Sequence, residues 1–315
     1  MPKVLVTCHH LLRHIDRYRD RFDAAGVELV LPAAVGQQFS SSEMQDMIRG
    51  VTTCILGDDV VDRPVLETGK ESGLKVVIKW GIGTDSIDKE SAAELGIPVR
   101  NTPGTFSDEV ADAAFALLLM LTRGYHLMDA SVREGGWLKV QGRSLASKTL
   151  GVVGLGGIGR AIGRRGVAFG MTVIGSDPME LPADLLAENG ITQKPFEEVL
   201  AGCDYLALAC NLTPENQHMI RAETLAQMKP GATLVNVARG PLVKEDDLVA
   251  ALRSGQLAAA ALDVFEVEPL PAKSPLRELE NVVFGTHNGS NTLEGVERVN
   301  EMTVAMALEV IAAGH

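Results

Sequence analysis

Short runs rich in Val, Ile and Leu alternate with amphipathic stretches twice in succession along this chain, and few folds accommodate that alternation. The first series places the runs at residues 4–7, 27–31, 53–56 and 76–78. Strands so continuously apolar belong to a parallel sheet with both faces covered. Between the first two runs, Leu12, Ile15, Tyr18, Arg19 and Phe22 recur at spacings of three and four. Residues 11–25 are therefore expected to form one helix whose apolar stripe faces the sheet. A second series starts at Lys148-Thr149-Leu150 and runs through 172–174, 205–208, 233–237, 258–262 and 282–284. The expectation is an α/β protein with two doubly wound parallel sheets, and 315 residues suffice for two domains that each bury a core.

The two series are separated by Asn101-Thr102-Pro103-Gly104, a turn by composition, after which residues 110–121 are nearly all apolar. A helix this apolar must be buried on several sides, either as a central core helix or in part as a subunit interface. Residues 293–313 read as one closing helix, with Val296, Val299, Thr303, Met306 and Val310 along one side.

Composition narrows the partners. Asp and Glu number 41 against 29 Lys and Arg, which leaves a net charge of −12. A phosphate backbone or an anionic membrane is repelled by such a chain, so neither nucleic acid nor membrane is an expected partner. No apolar stretch approaches the roughly 20 residues that cross a bilayer. The opening MPKVLVTCHH holds one short strand in place of a signal peptide, and the cytoplasm is the expected location. Cys8, Cys54, Cys203 and Cys210 form no metal or redox spacing and are expected to be reduced thiols. His9 and His10 follow Cys8 directly, but neighbours on a strand end point apart, so no metal is expected.

The strongest local motif begins where the apolar segment Leu150-Gly151-Val152-Val153 enters Gly154-Leu155-Gly156-Gly157-Ile158-Gly159 and then a helical stretch. Gly154 allows a tight turn, Gly156 lets backbone approach a pyrophosphate, and Gly159 permits close packing of helix on strand. The first turn of the helix adds N–H groups and a favourable dipole. Asp177 follows the next strand, 23 residues after Gly154, where an acid accepts hydrogen bonds from the adenosine ribose and repels a 2′-phosphate. The expected cofactor is NAD rather than NADP.

Hydride transfer to a 2-keto acid calls for a cation to hold the carboxylate, a proton donor for the developing alkoxide, and a group that keeps the donor charged. Arg239, Glu268 and His287 supply these types, each just after an apolar run, where the loops of a parallel sheet gather round a ligand. Their settings are Val235-Asn236-Val237-Ala238-Arg239-Gly240, Asp263-Val264-Phe265-Glu266-Val267-Glu268-Pro269 and His287-Asn288-Gly289-Ser290. Together with Gly81-Ile82-Gly83-Thr84-Asp85-Ser86-Ile87-Asp88, the Asn101–Gly104 turn and the glycine fingerprint, the chain resembles the D-isomer-specific 2-hydroxyacid dehydrogenases over almost its whole length. That family includes phosphoglycerate dehydrogenases and hydroxypyruvate/glyoxylate reductases.

The resemblance implies that Arg239 binds the substrate carboxylate and carbonyl oxygen, that His287 gives or takes the proton, and that Glu268 orients and charges His287. A guanidinium fork matches a carboxylate, and a neighbouring carboxylate raises an imidazole's affinity for its proton. It further implies carboxylate contacts from backbone N–H groups at Gly81 and Ile82, and cofactor contacts at Gly157, Ile158, Thr213, Val237, Ala238, Asp263 and Gly289. Asp263 would meet the nicotinamide carboxamide, with a turn acid as the alternative, and Thr213 would lie by the cofactor, with an ordinary turn residue before Pro214 as the alternative. The family's topology makes 1–101 with 290–315 a flavodoxin-like substrate-binding domain and inserts 102–289 as a Rossmann NAD-binding domain. A homodimer is also implied.

Departures from the family's pattern bear on substrate. Thr286 stands where many relatives have proline, and Asn288 replaces an aliphatic residue after the histidine. Leu56-Gly57-Asp58-Asp59 offers acids where phosphoglycerate enzymes usually present an arginine, which weighs against a phosphorylated substrate. Lys79 and Arg100 are the cations in a position to compensate, Lys79 as a substrate-binding charge or as a solvated lysine. Two other functions remain open at this point: a non-catalytic, NAD-responsive corepressor-like binding protein, and a phosphite or formate dehydrogenase.

Overall fold

The computed structural model describes residues 1–33 and 38–314, and the chain forms two compact units, Met1–Thr105 with Thr292–His315, and Phe106–Asn291. Both are α/β units built on a parallel sheet. The crossings fall a few residues beyond Asn101 and Ser290, and the first has a local cause. Thr102 N–H donates to the Gly81 carbonyl (3.0 Å), the Thr105 hydroxyl to the Thr102 carbonyl (2.8 Å), and Arg298 to the Thr105 carbonyl (2.8 Å). The turn is thereby tied to the first unit through Thr105.

The first unit has five strands, β1 (Lys3–Val6), β2 (Glu28–Val30), β3 (Thr53–Leu56), β4 (Val76–Lys79) and β5 (Val99–Arg100), in the order β2-β1-β3-β4-β5. This is the flavodoxin-like order, with a switch point between β1 and β3. Val4, Leu5, Val6, Cys54, Ile55, Leu56, Val77 and Ile78 are fully buried, as central parallel strands require. Helix Arg63–Ser72 covers one flank, and its ends follow from sequence. Asp62 caps the first turn by accepting the Val65 N–H, Pro64 occupies an early position that needs no donor, and Gly73 ends the helix at φ 108°. The closing helix Leu293–Ala312 packs on β3 and β4 and buries Val296, Val299 and Val304, and its buried Asn300 accepts the Trp80 indole N–H at 2.8 Å.

The second unit has seven strands, β6 (Thr149–Val153), β7 (Thr172–Ser176), β8 (Ile191–Gln193), β9 (Tyr205–Leu208), β10 (Ala232–Asn236), β11 (Leu257–Leu262) and β12 (Val282–Phe284). Their order, β12-β11-β10-β9-β6-β7-β8, is that of a Rossmann sheet with one added edge strand, and the order reverses between β6 and β9. Ligands bind beyond the carboxyl ends of such strands at that switch point. The helix after the Asn101–Gly104 turn runs from Ser107 to Arg123 and lies against β10, β11 and β12. It buries Val110, Ala111, Ala114, Phe115 and Leu118, while Met120 is exposed.

Other departures are local. Residues 11–25 do not form one helix: His9–Leu12 is α-helical, Ile15–Arg17 is a 3-10 turn, and Arg19–Ala24 is α-helical again. The overwound middle turn carries the buried row Leu11, Ile15, Tyr18, Phe22, so Leu11 replaces Leu12 in the stripe and Arg19 is exposed. Strands β5 and β8 escape the apolar pattern because both lie at sheet edges and are half polar, Val99-Arg100 and Ile191-Thr192-Gln193. No helix among the described residues is long and apolar enough to cross a membrane.

Candidate active site

At the end of β6, each glycine of the fingerprint has a separate steric reason. Gly154 sits at φ 91°, and a Cβ there would lie 2.6 Å from the Cys210 backbone. A Cβ on Gly159 would meet the Gly154 carbonyl oxygen at 1.8 Å, so the helix Gly157–Ala168 packs directly on the turn. Gly156 differs: nothing lies within 4 Å of where its Cβ would stand, which is the open approach a pyrophosphate needs. No side chain caps the first turn of this helix among the described residues, so Gly157 and Ile158 present backbone N–H groups at a positive dipole end. Asp177, at the end of β7, accepts the Leu155 N–H (2.8 Å) and the Met179 N–H (3.0 Å). It thus holds the glycine turn and stands beside it. These features fit a dinucleotide.

The Arg239 turn is wound round a buried amide. Asn236, the last residue of β10, accepts the Ala238 N–H (3.1 Å) and donates to the Arg239 carbonyl (2.9 Å). The guanidinium itself donates to the Ala238 carbonyl at 2.8 Å. Gly240 allows the next contact: its Cβ would fall 1.8 Å from the Phe265 carbonyl, so this turn presses backbone to backbone on the loop after β11. In that loop the Phe265 N–H donates to Glu268 Oε1 (2.9 Å), and Glu268 Oε2 lies 2.7 Å from His287 Nδ1. Arg239, Glu268 and His287 are thus linked through one short series of contacts.

His287 is held in the left-handed backbone region, φ 54°, a conformation that costs a non-glycine residue about 1 kcal/mol or more. Asp263 maintains it. Its carbonyl accepts the His287 N–H (2.6 Å), and its buried carboxylate accepts the N–H groups of Asn288 (3.1 Å) and Gly289 (2.9 Å). Gly285 has no room for a side chain either, since a Cβ would stand 2.1 Å from Asp263 Oδ1. The exposed Asn288 side chain accepts a hydrogen bond from Asn291 at 2.7 Å. Val237 and Ala238 are buried beside the Arg239 turn. Thr213 lies in an exposed turn, where its N–H donates to Asn216 (2.7 Å) and its hydroxyl holds the Glu215 carboxyl below its ordinary range.

In the first unit, Gly81 is at φ 113°, and its N–H donates to the Thr102 hydroxyl at 3.2 Å. The Ile82 carbonyl accepts from Asn101 (2.7 Å), which fixes the loop. Lys79 is not solvated: it is buried, with Nζ 2.9 Å from Asp58 and 3.0 Å from the Trp80 carbonyl. Arg100 is paired with Glu309 at 3.1 Å. Asp59 is buried as well and staples three loops by accepting from the Thr7 hydroxyl, the Gly57 N–H and the Phe39 N–H.

Two residues that shape the site carried no functional expectation. Asn236 was readable in principle, as a polar residue ending an apolar run immediately before Val-Ala-Arg-Gly. His218 was not, because its partner Glu266 is 48 positions away.

A doubly wound sheet with this glycine turn, and an imidazole-carboxylate couple at its carboxyl edge, defines a nicotinamide-dependent dehydrogenase. Residues 115–289 match the family model for the NAD binding domain of the D-isomer specific 2-hydroxyacid dehydrogenases. A glyoxylate reductase of Thermococcus litoralis is 41% identical over 266 residues, which cover 82% of this chain and 79% of that protein. A hydroxypyruvate reductase of Thermotoga maritima is 40% identical over 76% of this chain and 78% of its own. The crystal structure of a D-lactate dehydrogenase from Aquifex aeolicus, complexed with NAD and lactic acid, superposes with a TM-score of 0.87 at 26% identity, covering 99% and 96% of the two chains. The chain belongs to the D-isomer specific 2-hydroxyacid dehydrogenase family. It is an NAD-dependent oxidoreductase that moves a hydride between nicotinamide and a small 2-hydroxy or 2-keto acid.

Proposed function

We propose that His287 is the proton donor and acceptor of this reaction, that Glu268 orients it, and that Arg239 holds the substrate carboxylate. The observation that carries the reading is the 2.7 Å contact between His287 Nδ1 and Glu268 Oε2. On this reading Nε2 exchanges the proton with the substrate oxygen, while the carboxylate favours the charged imidazole. NAD, when bound, supplies or accepts the hydride. Keto-acid reduction then needs His287 protonated, and hydroxy-acid oxidation needs it neutral. Gly81 and Ile82 are proposed as carboxylate ligands through backbone N–H, with Met1–Thr105 and Thr292–His315 as the substrate-binding domain.

The substrate we propose is a short, unphosphorylated keto acid of the glyoxylate or hydroxypyruvate kind. Those are the substrates named for two relatives, and the cations a phosphate would require are engaged, Lys79 by Asp58 and Arg100 by Glu309. The rate of keto-acid reduction should fall as pH rises through the His287 titration. His287→Ala should lose on the order of 10²–10⁴-fold in turnover, and Glu268→Gln should move the falling limb to lower pH. A His287→Ala protein with wild-type turnover ends this assignment.

A cytoplasmic homodimer completes the proposal. Four free cysteines suit a reducing compartment. Tyr125, Val132, Trp137 and Leu138 expose apolar surface on and after the helix Tyr125–Arg133, which buries none of its residues, and such surface favours a mating face. Sedimentation should give twice the 33.6 kDa chain mass.

A further inference from the structure

Two imidazoles of the second unit share an unusual setting. His218 and His287 both lie in left-handed backbone at φ 54°, and both pair with glutamates of the loop after β11. His218 Nε2 is 2.5 Å from Glu266 Oε1. Glu266 Oε2 accepts the Glu245 N–H (2.7 Å), and Glu245 Oε1 accepts the Glu266 N–H (2.8 Å), a reciprocal clasp. Glu266 stands two residues before Glu268, and the residue preceding it, Phe265, is itself bonded to Glu268 through its N–H. The His218 N–H donates to the Pro241 carbonyl (2.8 Å), Ile220 to Leu242 (3.0 Å), and Lys244 to Ile220 (2.9 Å). The loops after β9, β10 and β11 are thus braced at His218, and the loop after β10 is the one that carries Arg239.

Charged groups crowd this corner, with Arg239 on the neighbouring turn. Glu266 faces His218 and Glu245; Asp247 lies near His218 and pairs with Lys244 at 3.3 Å. Arg221 reaches the His218 carbonyl at 3.5 Å but pairs with Glu223. Burial pushes the Glu245 carboxyl up, and the charges of Glu266, Asp246 and Glu268 add to that, so Glu245 senses both histidine-paired glutamates.

We propose that His218 is a positioning residue for the reaction: through Glu266 it balances the negative charge around the Glu268–His287 couple and so sets the pH at which His287 exchanges its proton. The inference rests on the function proposed above. A positive charge at position 218 offsets one of the negative charges in this cluster. Removing that positive charge makes the surroundings of His287 more negative, and the imidazole keeps its proton to higher pH. Removing the Glu266 charge acts in the opposite direction.

His218→Gln keeps an N–H donor, and Glu266→Gln keeps an acceptor for the Glu245 N–H, so both variants change charge more than shape. In kcat against pH for keto-acid reduction with NADH, the falling limb should move up by about half a pH unit in His218→Gln and down by about the same in Glu266→Gln. His218→Lys should return the limb towards its wild-type position. Unmoved limbs, or shifts of one sign in both glutamine variants, overturn the proposal. If Glu266→Gln does not fold, His218→Gln and His218→Lys decide alone, since a limb that fails to move and then return refutes a role for charge. His287→Ala in the same assay separates the two readings: retained turnover removes the proposed function itself, whereas lost turnover with unmoved limbs removes only the role of His218.

Discussion

In Asp263→Asn one carboxylate oxygen becomes an amide NH2, so the N–H of either Asn288 or Gly289 loses its acceptor and faces a donor. Asp263 is only 5% exposed, and water does not readily replace the lost partner. A hydrogen bond to a charged acceptor contributes about 1.5–3 kcal/mol, and the donor left facing a donor brings the expected loss to about 2–4 kcal/mol. For a unit of this size each kcal/mol lowers Tm by about 2–4 °C, so the transition of the second unit should fall by roughly 4–16 °C. Calorimetry on protein stripped of cofactor measures this without any contribution from contacts to bound NAD. Turnover should fall about 10- to 100-fold as well, because the left-handed His287 hangs from the same residue and a small misplacement weakens proton transfer. An Asp263→Asn protein with wild-type Tm and kcat and only a raised KM for NAD would refute the reasoning, since Asp263 would then act on the cofactor alone.

Two further outcomes are expected. Asp177→Ala removes the acceptor of the Leu155 and Met179 N–H groups and the charge that repels a 2′-phosphate. The ratio of kcat/KM for NAD to that for NADP should drop at least tenfold, and an unchanged ratio would take Asp177 out of cofactor selection. Burial pushes the thiols of Cys8 and Cys203 up to about 12 and that of Cys210 up to about 11, from an ordinary 9.0. Because these groups bind their protons more tightly when folded, the stability they contribute is full below pH 9 and declines as pH rises toward 11–12. Each costs about 1.4 kcal/mol per pH unit over that window. Denaturant titrations at about pH 8 and about pH 10 should show the decline, and rapid reaction of the native thiols with a disulfide reagent at the lower pH would contradict it.

The legibility of the fold followed burial. Central strands such as β3 and β4 are covered on both faces and so are apolar almost without interruption, whereas β5 and β8, at the edges, have no such pressure on their composition. The stripe of 11–25 was readable as an amphipathic row but not as a helix with a 3-10 turn, because the period that matters is the one that reaches the sheet. At the candidate site, Arg239, Glu268 and His287 stood out through motif and position. The burial of Lys79 was not legible, since its partner Asp58 is 21 residues away and no local signal marks the pair as buried.

By itself the sequence determined the parallel α/β architecture, the glycine turn and the reaction type, because periodicity and steric need act between residues that are close along the chain. The tertiary structure alone decided which polar groups pair with one another. Asp263 on the His287 loop, Lys79 on Asp58 and His218 on Glu266 are pairings between distant positions. They exist because the loops at the carboxyl ends of parallel strands are brought together only when the sheet forms.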